Sequence, residues 1–203
     1  MSDRYSSQAR SINPQTSKEI ETSRLAHLIY EHAPHDGTLS QCISGLHINR
    51  HSQTDTNWVK AFYLPSVLIV VQGVKSFMLG QEIFQVGRSC MLMFPVALPV
   101  ALQVIQASSH EPFLGVGLTL DPEKIAKFVP KVYPRGLPSV KAQSVGYMAD
   151  ADTGIINAVA RLMECQDNAG DTELLAPIVK DEILMRLLRS PIGVHIAEMG
   201  FAD

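Results

Sequence analysis

The hydrophobic positions of this chain follow a helical pattern at each end and a strand pattern between the two. Leu25, Leu28 and Ile29 recur at helical spacing, which predicts a short N-terminal helix that ends at residues 32–34. Across residues 38–119, short runs rich in Val, Ile, Leu and Phe are separated by Gly, Pro, Asn and Asp. Such spacing is typical of an all-β sandwich or barrel.

Helical signals return after the strands. Asp121-Pro122-Glu123 offers an N-cap and a proline at the first helical position, which predicts a helix to about Val129. Helical spacing recurs over residues 155–163 and, more strongly, over residues 174–189, and these two segments are predicted to form a helical hairpin. Helix, strands and helices in this order predict an α+β fold around a β-barrel core.

The segment VLIVVQGVKSFMLGQEIFQVG, residues 67–87, has the alternation of a β-hairpin folded on Gly80–Gln81. A two-residue turn places Phe77 opposite Phe84, with Lys75 at the end of the same face. One interpretation is a core pair of aromatic rings beside a lysine whose ammonium reaches solvent. The other is a ligand pocket in the mouth of a barrel.

The pocket interpretation supplies a set of candidate ligand contacts. Gln72 and Lys75 are the candidate polar contacts, because they border Phe77. Met91 and Met93 share one face of the next strand and are expected to fill the same interior. The candidate ligand-binding residues are therefore Gln72, Lys75, Phe77, Phe84, Met91 and Met93.

Motifs of catalysis and metal binding are missing from the sequence. His47 and His51 alternate with apolar residues, so they lie on a strand, where four residues span about 13 Å and exclude shared chelation of one ion. We expect both to lie on a solvent-facing polar strand edge. No HxH followed by Glu, GxSxG, GxGxxG or P-loop occurs, so no catalytic residue, metal or cofactor is predicted. The cysteines, Cys42, Cys90 and Cys165, fit buried structural thiols.

Composition narrows the function classes further. The 203 residues are 46% hydrophobic and 18% charged, as in a compact globular domain. A formal net charge of −3 gives no bulk electrostatic reason to bind nucleic acid or an anionic membrane. Residues 89–110 carry no formal charge, but prolines interrupt an apolar run too short to span a bilayer. The polar N-terminus is not a secretory signal, and three scattered cysteines fit the cytoplasm.

The segment 174–189 has apolar residues over more than one helical stripe. A helix that packs on its own barrel needs only one apolar face, so the surplus indicates a partner surface or a fully covered core helix. For the partner surface, a homodimer interface is predicted at Ile178, Leu184, Leu187 and Leu188.

Six strings in order resemble one family, the AraC-type transcription regulators, over roughly residues 25–193. The matching strings are VVQGVK (70–75), LG with FQVG (79–87), ALPV (97–100), QASSHEPFLGVGLTLDPEKIA (106–126), RLMECQD (161–167) and LLAPIVKDEILMRLLRSPIG (174–193). The resemblance implies a cupin-like double-stranded β-helix, or jelly-roll barrel, followed by helices that dimerise.

The resemblance also implies a domain organisation and a function. An extended or disordered N-terminus is expected over residues 1–15, a sensing barrel over 16–150, a helical dimerisation subdomain over 151–190, and the start of a linker to a missing helix-turn-helix domain over 191–203. The chain is then the effector-sensing domain of a cytoplasmic regulator and not an enzyme, and only the missing domain contacts DNA. The alternatives are a dimerisation module without ligand and a cupin enzyme for a small molecule.

Overall fold

Two antiparallel sheets form the centre of the computed structural model, which describes residues 14–139 and 144–201. The six-stranded sheet has the order β1-β2-β9-β4-β7-β10 and the four-stranded sheet the order β3-β8-β5-β6. The strands are β1 (Gly37–Ser40), β2 (Leu46–His51), β3 (Val59–Tyr63), β4 (Ser66–Gln72), β5 (Val74–Leu79), β6 (Glu82–Val86), β7 (Cys90–Phe94), β8 (Leu98–Gln106), β9 (Phe113–Thr119) and β10 (Tyr147–Asp150).

Helices precede, interrupt and follow the strands. They are α1 (Pro14–His32), α2 (Pro122–Val132), α3 (Thr153–Glu164), α4 (Ala169–Leu174), α5 (Ala176–Leu188) and α6 (Gly193–Met199), with a short 3₁₀ turn over Cys165–Asp167. Antiparallel sheets combined with helices confirm the α+β prediction in its coarse form. None of these described helices combines the length and the apolar character that crossing a bilayer would require.

The predicted hairpin is confirmed as β5 and β6. Gly80 has a φ of +61° at the turn, a backbone conformation that glycine adopts without steric cost. Phe77 lies opposite Phe84 and Lys75 opposite Val86, as the alternation predicts. The hairpin therefore has its predicted register and forms one edge of the four-stranded sheet.

The six-stranded sheet is covered on both faces, by the helices on one side and by the four-stranded sheet on the other. Strand β4 shows the division: Ile69 and Val71 pack in the apolar cluster that the helices share, and Leu68 and Val70 pack in the cluster between the sheets. Both sides of this strand are apolar because both are removed from water.

Local capping explains where the helix after the strands begins. The Asp121 side chain accepts hydrogen bonds from the backbone N–H groups of Glu123 and Lys124 at 3.0 and 3.3 Å. These bonds satisfy donors that have no partner inside the helix. Helix α2 thus begins where the sequence predicts, and it ends three residues later than predicted, at Val132.

The predicted helix over 174–189 is divided, and most of its predicted dimer residues lie in the core. Leu184, Leu187 and Leu188 are 7%, 1% and 0% exposed, because α5 is packed among α2, α3 and α6 of the same chain. Their prediction as partner contacts is wrong in this respect, since side chains covered within one chain cannot face a second copy. Ile178 is 65% exposed and remains on the surface.

The resemblance implies the start of a linker over residues 191–203, whereas the structure has helix α6 over most of this segment. Ile196 and Ala197 are fully buried, and α6 contacts α2 and α5. The Tyr147 ring of β10 also stacks on the His195 imidazole, with ring centroids 3.6 Å apart. The helical layer therefore extends to Met199. Of the predicted extended N-terminus, residues 1–13 lie outside the described residues, and 14–15 belong to α1.

Candidate functional site

A cavity of about 440 Å³ opens between the two sheets at the end of the interior where β2 and β3 lie. Its walls combine apolar and polar side chains, as in most small-molecule sites. The apolar lining consists of Val59, Ala61, Phe62, Tyr63, Leu64, Leu68, Leu102 and Gly117. The polar lining consists of Thr38, His47, Asn49, His51, Ser66, Lys75 and Thr119.

Strand β9 leaves room for this cavity because it has glycines on the face toward the other sheet. Leu114, Val116 and Leu118 pack toward the helices, so Gly115 and Gly117 face the interior between the sheets. A Cβ atom on Gly117 would meet nothing closer than His47, at 3.9 Å. The space in front of this glycine is therefore open.

Strand β2 supplies the polar wall, which corrects the expectation for its histidines. His47 and His51 line the cavity together with Asn49, and they do not form a solvent-facing edge. Strand β2 lies between β1 and β9, and its other face, with Leu46 and Ile48, packs on the helices. The alternation predicts the strand correctly. The polar face of β2 points to the internal cavity and not to solvent, because the second sheet lies opposite it.

Lys75 reaches the cavity from β5 on the opposite sheet. Its side chain is almost fully buried, with 2% of the residue exposed. Nζ lies 3.2 Å from Nε2 of His51 and 4.8 Å from the ring centroid of Phe113. Among the described residues, no carboxylate oxygen lies within 4 Å of this nitrogen. The ammonium is thus held by an imidazole and an aromatic face, without an ion pair.

Burial shifts the titration of both groups. Loss of water lowers the pKa of Lys75 to about 8, although the negative charge of Asp55 acts in the opposite direction. Burial and the positive charge of Lys75 lower the pKa of His51 to about 4. His51 is therefore neutral at pH 7, and its Nε2 accepts a hydrogen bond from the ammonium while Nδ1 carries the proton.

Asp55 lies near this pair, but its carboxylate is already engaged. Oδ2 accepts a hydrogen bond of 2.7 Å from the backbone N–H of Val104, the residue opposite Lys75 in the sheet. Two further bonds hold the same loop: the Asp55 backbone N–H donates to the Val104 carbonyl at 2.9 Å, and the Gln103 side chain donates to the Asp55 carbonyl at 2.9 Å. Asp55 thus fastens its loop to β8.

The aromatic residues of the hairpin fill the other end of the interior. Phe77 is fully buried and lies edge-on to Tyr63 and Phe94, at centroid distances of 5.9 and 5.6 Å. Phe84 packs at the margin of the same cluster. Tyr63 belongs to both regions, since its ring packs on Phe94 and also lines the cavity. The interior is therefore filled at one end and open at the other.

Three of the predicted ligand residues lie away from the cavity. Gln72 donates to the Pro112 carbonyl at 2.8 Å and lines a separate surface depression with Arg88. Met91 and Met93 are fully buried on the helix-facing side of β7, and Leu92 and Phe94 occupy the side between the sheets. The expectation that the two methionines share the interior with Phe77 is wrong, because the alternation of β7 directs them to the opposite face.

Of the six predicted ligand residues, Lys75 alone lines the cavity, and Phe77 supports it through Tyr63. Sequence reasoning missed the wall formed by β2 and the space formed by β9. The available signal was the string FLGVGLT, in which glycines alternate with apolar residues. Within residues 14–139 and 144–201, no three His, Cys, Asp or Glu side chains are grouped so that they could hold a metal ion.

Most of the chain matches one known protein family. Residues 42–195 match the family model described as AraC-type transcriptional regulator N-terminus. Similar solved structures include an apo variant of ToxT from Vibrio cholerae strain SCE256, with 8% identity, a TM-score of 0.48, and coverage of 74% of this chain and 58% of that one. They also include wild-type ToxT of that strain bound to an unsaturated fatty acid, with 7% identity, a TM-score of 0.44, and coverage of 78% and 58%. This chain thus spans 58% of the length of both structures. The comparison with curated proteins gave no match.

Proposed function

This chain belongs to the family of AraC-type transcriptional regulator N-terminal domains, and from that membership we propose that it senses a small-molecule effector and dimerises. In this role it controls DNA binding by a C-terminal domain of the same regulator. It works in the cytoplasm, where such a regulator meets DNA. A regulatory family has no need of catalytic groups, so the domain acts by binding and not by chemistry.

The cavity between the sheets is the observation that carries the sensing proposal. Its volume of about 440 Å³ is in the range of small-molecule pockets, and its walls combine an apolar surface with polar side chains. A buried ammonium, that of Lys75, lies in the lining, and no carboxylate oxygen of residues 14–139 and 144–201 lies within 4 Å of it. An interior designed only for packing would have a side chain in place of this space.

We propose further that the two sheets form a cupin-like double-stranded β-helix. Consecutive strands from β2 to β9 pass repeatedly between the sheets, and the order β2-β9-β4-β7 faces the order β3-β8-β5-β6. Two facing four-stranded sheets that are wound in this way are the arrangement of a jelly roll. The effector would then occupy the interior of the roll.

Strand β9 offers a physical route from the effector to the helices. Gly117 and Thr119 line the cavity, and Val116 and Leu118, their neighbours in sequence, pack in the helical layer. If β9 has two positions, each with its own arrangement of the helices, a ligand that binds one position more tightly raises the population of that arrangement. Two tethered DNA-binding domains would thereby change how they meet their half-sites.

The proposed dimer surface is an exposed apolar stripe on α4 and α5. Leu174, Leu175 and Ile178 are 68%, 47% and 65% exposed, and Met185 continues the stripe with 37%. Exposed neighbours of this kind are typical of protein interfaces. Of the four interface residues expected from the sequence, Ile178 alone belongs to this stripe. The dimer therefore forms through α4 and the exposed face of α5.

Calorimetry and thermal shifts with a broad metabolite panel test the sensing proposal. The paired variants are Gly117→Leu, which places a side chain in the cavity, and Ala101→Leu, which adds comparable bulk on the outer face of β8. A ligand of the cavity binds the wild type and Ala101→Leu but not Gly117→Leu. If no panel member binds the wild type, a dimerisation module without ligand is the better description.

A further inference from the structure

We infer that the molecule bound between the sheets is amphipathic, with an anionic headgroup such as a carboxylate on Lys75 and an apolar body along the cavity wall. The inference rests on the proposed sensing function, because it names the ligand class for the same cavity. It adds a specific polarity and a specific contact: the headgroup lies at the inner end, between β2 and β5.

The charge of Lys75 is the first argument. A buried ammonium is stable only when it is well compensated, and buried charges in proteins are normally paired. Lys75 is 2% exposed, and its one described polar contact is the neutral His51 imidazole. Asp55 is the acid whose charge acts on Lys75, and one of its carboxylate oxygens accepts a hydrogen bond from the Val104 backbone N–H. A bound anion supplies the missing compensation.

The hydrogen-bonding capacity of the ammonium is the second argument. An ammonium has three N–H donors, and His51 Nε2 accepts one of them. The ring face of Phe113, at 4.8 Å, attracts the charge without serving as a strong acceptor. Donors thus remain for a ligand oxygen, and hydrogen bonds between charged partners are about twice as strong as neutral ones.

The lining of the cavity is the third argument, because it selects against cations. No Asp or Glu occurs among the described lining residues, so the one formal charge there is positive. The hydroxyl groups of Thr38 and Thr119 are also part of the lining, and they are able to donate to an anion.

The apolar part of the ligand has a matching wall. Leu68, Leu102 and Tyr63 form the interior side of the cavity, and Phe62 and Leu64 extend it outward, with exposures of 66% and 58%. An apolar body along this wall removes these side chains from water, which is favourable. A small, fully polar anion would leave the same surface exposed.

Three probes of one shape test the inference: 4-phenylbutyrate, 4-phenylbutan-1-ol and 4-phenylbutylamine. They are titrated at pH 7 into the wild type, Lys75→Met, Lys75→Arg and Lys60→Met, the last being a control at an exposed lysine on β3. We expect the wild type and Lys60→Met to prefer the carboxylate over the alcohol and to bind the amine most weakly. Lys75→Met should lose about 10- to 100-fold in carboxylate affinity. Its alcohol affinity should change less than about threefold, and Lys75→Arg should retain the preference.

Each other outcome has a defined meaning. Equal affinity for carboxylate and alcohol, or a carboxylate preference that survives in Lys75→Met, overturns the anionic headgroup and leaves the sensing proposal intact. Failure of all three probes and of the whole metabolite panel overturns both. Circular dichroism spectra and melting curves of the Lys75 variants show whether a loss of affinity reflects a loss of fold.

Discussion

Nζ of Lys75 and Nε2 of His51 lie 3.2 Å apart, although they belong to opposite sheets, and this contact joins the two layers of the interior. A protonated lysine and a neutral imidazole form a hydrogen bond here, whereas two protonated groups would repel each other. The charge of Lys75 therefore disfavours protonation of His51. The pH dependence of the protein should report this pair.

The first prediction concerns stability in alkaline solution. The pKa of Lys75 is about 8 in the folded chain and 10.5 for an ordinary lysine, so between these values the unfolded chain holds a proton that the folded chain has lost. The free energy of unfolding should accordingly rise with pH, by about 2 kcal/mol between pH 7 and pH 9.5. Urea titrations over this range measure the rise.

Lys75→Met is the comparison for that experiment. The variant lacks the buried ammonium, so it should be more stable than the wild type at pH 7 by about 1–3 kcal/mol and should lose the alkaline rise. The comparison removes contributions from other groups, among them Tyr63, whose pKa burial raises to about 12. Parallel curves for both proteins between pH 7 and pH 9.5 would contradict the assignment.

The second prediction concerns acid. The pKa of His51 is about 4 in the folded chain and 6.5 for an ordinary histidine. Between these pH values the imidazole is therefore protonated in the unfolded chain and neutral in the folded chain. Its contribution should lower the free energy of unfolding as the pH falls from 6.5 to 4. The difference between wild type and His51→Gln isolates this slope, and NMR of the imidazole protons follows the titration directly.

The third prediction concerns ligand affinity. A carboxylate on Lys75 stabilises the ammonium, so binding raises the pKa of the lysine, and carboxylate affinity should fall by up to about tenfold per pH unit above pH 8. Calorimetry at pH 8.5 in two buffers of different ionisation enthalpy should record proton uptake. Lys75→Arg remains charged at these pH values and should bind with a flat profile. A falling profile in that variant would place the titrating group elsewhere.

The fourth prediction separates the dimer surface from the core. Ile178→Glu should give a folded monomer in sedimentation, because it places a charge in the exposed apolar stripe. Ile83→Glu is the matched control, since Ile83 is 57% exposed on β6, and it should remain dimeric. Leu188→Glu buries a charge in the monomer and should cost more than about 3 kcal/mol of stability. A dimeric Ile178→Glu would exclude the stripe.

The fifth prediction concerns the attachment of α6. A Cβ atom on Gly193 would overlap the Leu188 carbonyl, the group that also accepts a 2.5 Å hydrogen bond from the Tyr133 hydroxyl. Gly193→Ala should therefore destabilise the helical layer by about 1–3 kcal/mol. Gly117→Ala, whose Cβ meets only an ordinary contact, is the control. Chemical denaturation measures both, and equal stability of the two variants would refute the overlap.

The sequence predicts the hairpin, the cap at Asp121 and the coarse fold because these depend on local signals. Turn chemistry and alternation place Phe77 opposite Phe84 without knowledge of any distant residue. Local signals do not predict which way the faces of β2 and β7 point, because both strands are covered on both sides. In CMLMF every side chain is compatible with burial, and only the tertiary arrangement decides that Met93 faces helices and Phe94 faces the other sheet.

Burial of α5 and α6 also depends on tertiary structure. Apolar residues on more than one side of α5 are compatible with a second protein chain or with burial by helices of the same chain. In the structure, α2, α3 and α6 bury it. The segment GVHIAEM is too short for a clear helical period, so its packing is not visible in the sequence. His51 is similar, since no local pattern brings it to Lys75, which lies 24 positions away.

Strand β9 separates two properties that a sensor has to tune. Its glycine-bearing face sets the size and shape of the cavity, and its apolar face maintains the contact with the helices. A single nucleotide change at the codon for residue 117 thus alters which molecules fit and leaves the helix-facing side chains unchanged. In the proposed sensor, ligand preference and signal transmission would depend on opposite faces of the same seven residues. Related regulators are therefore able to diverge in the first property while they keep the second.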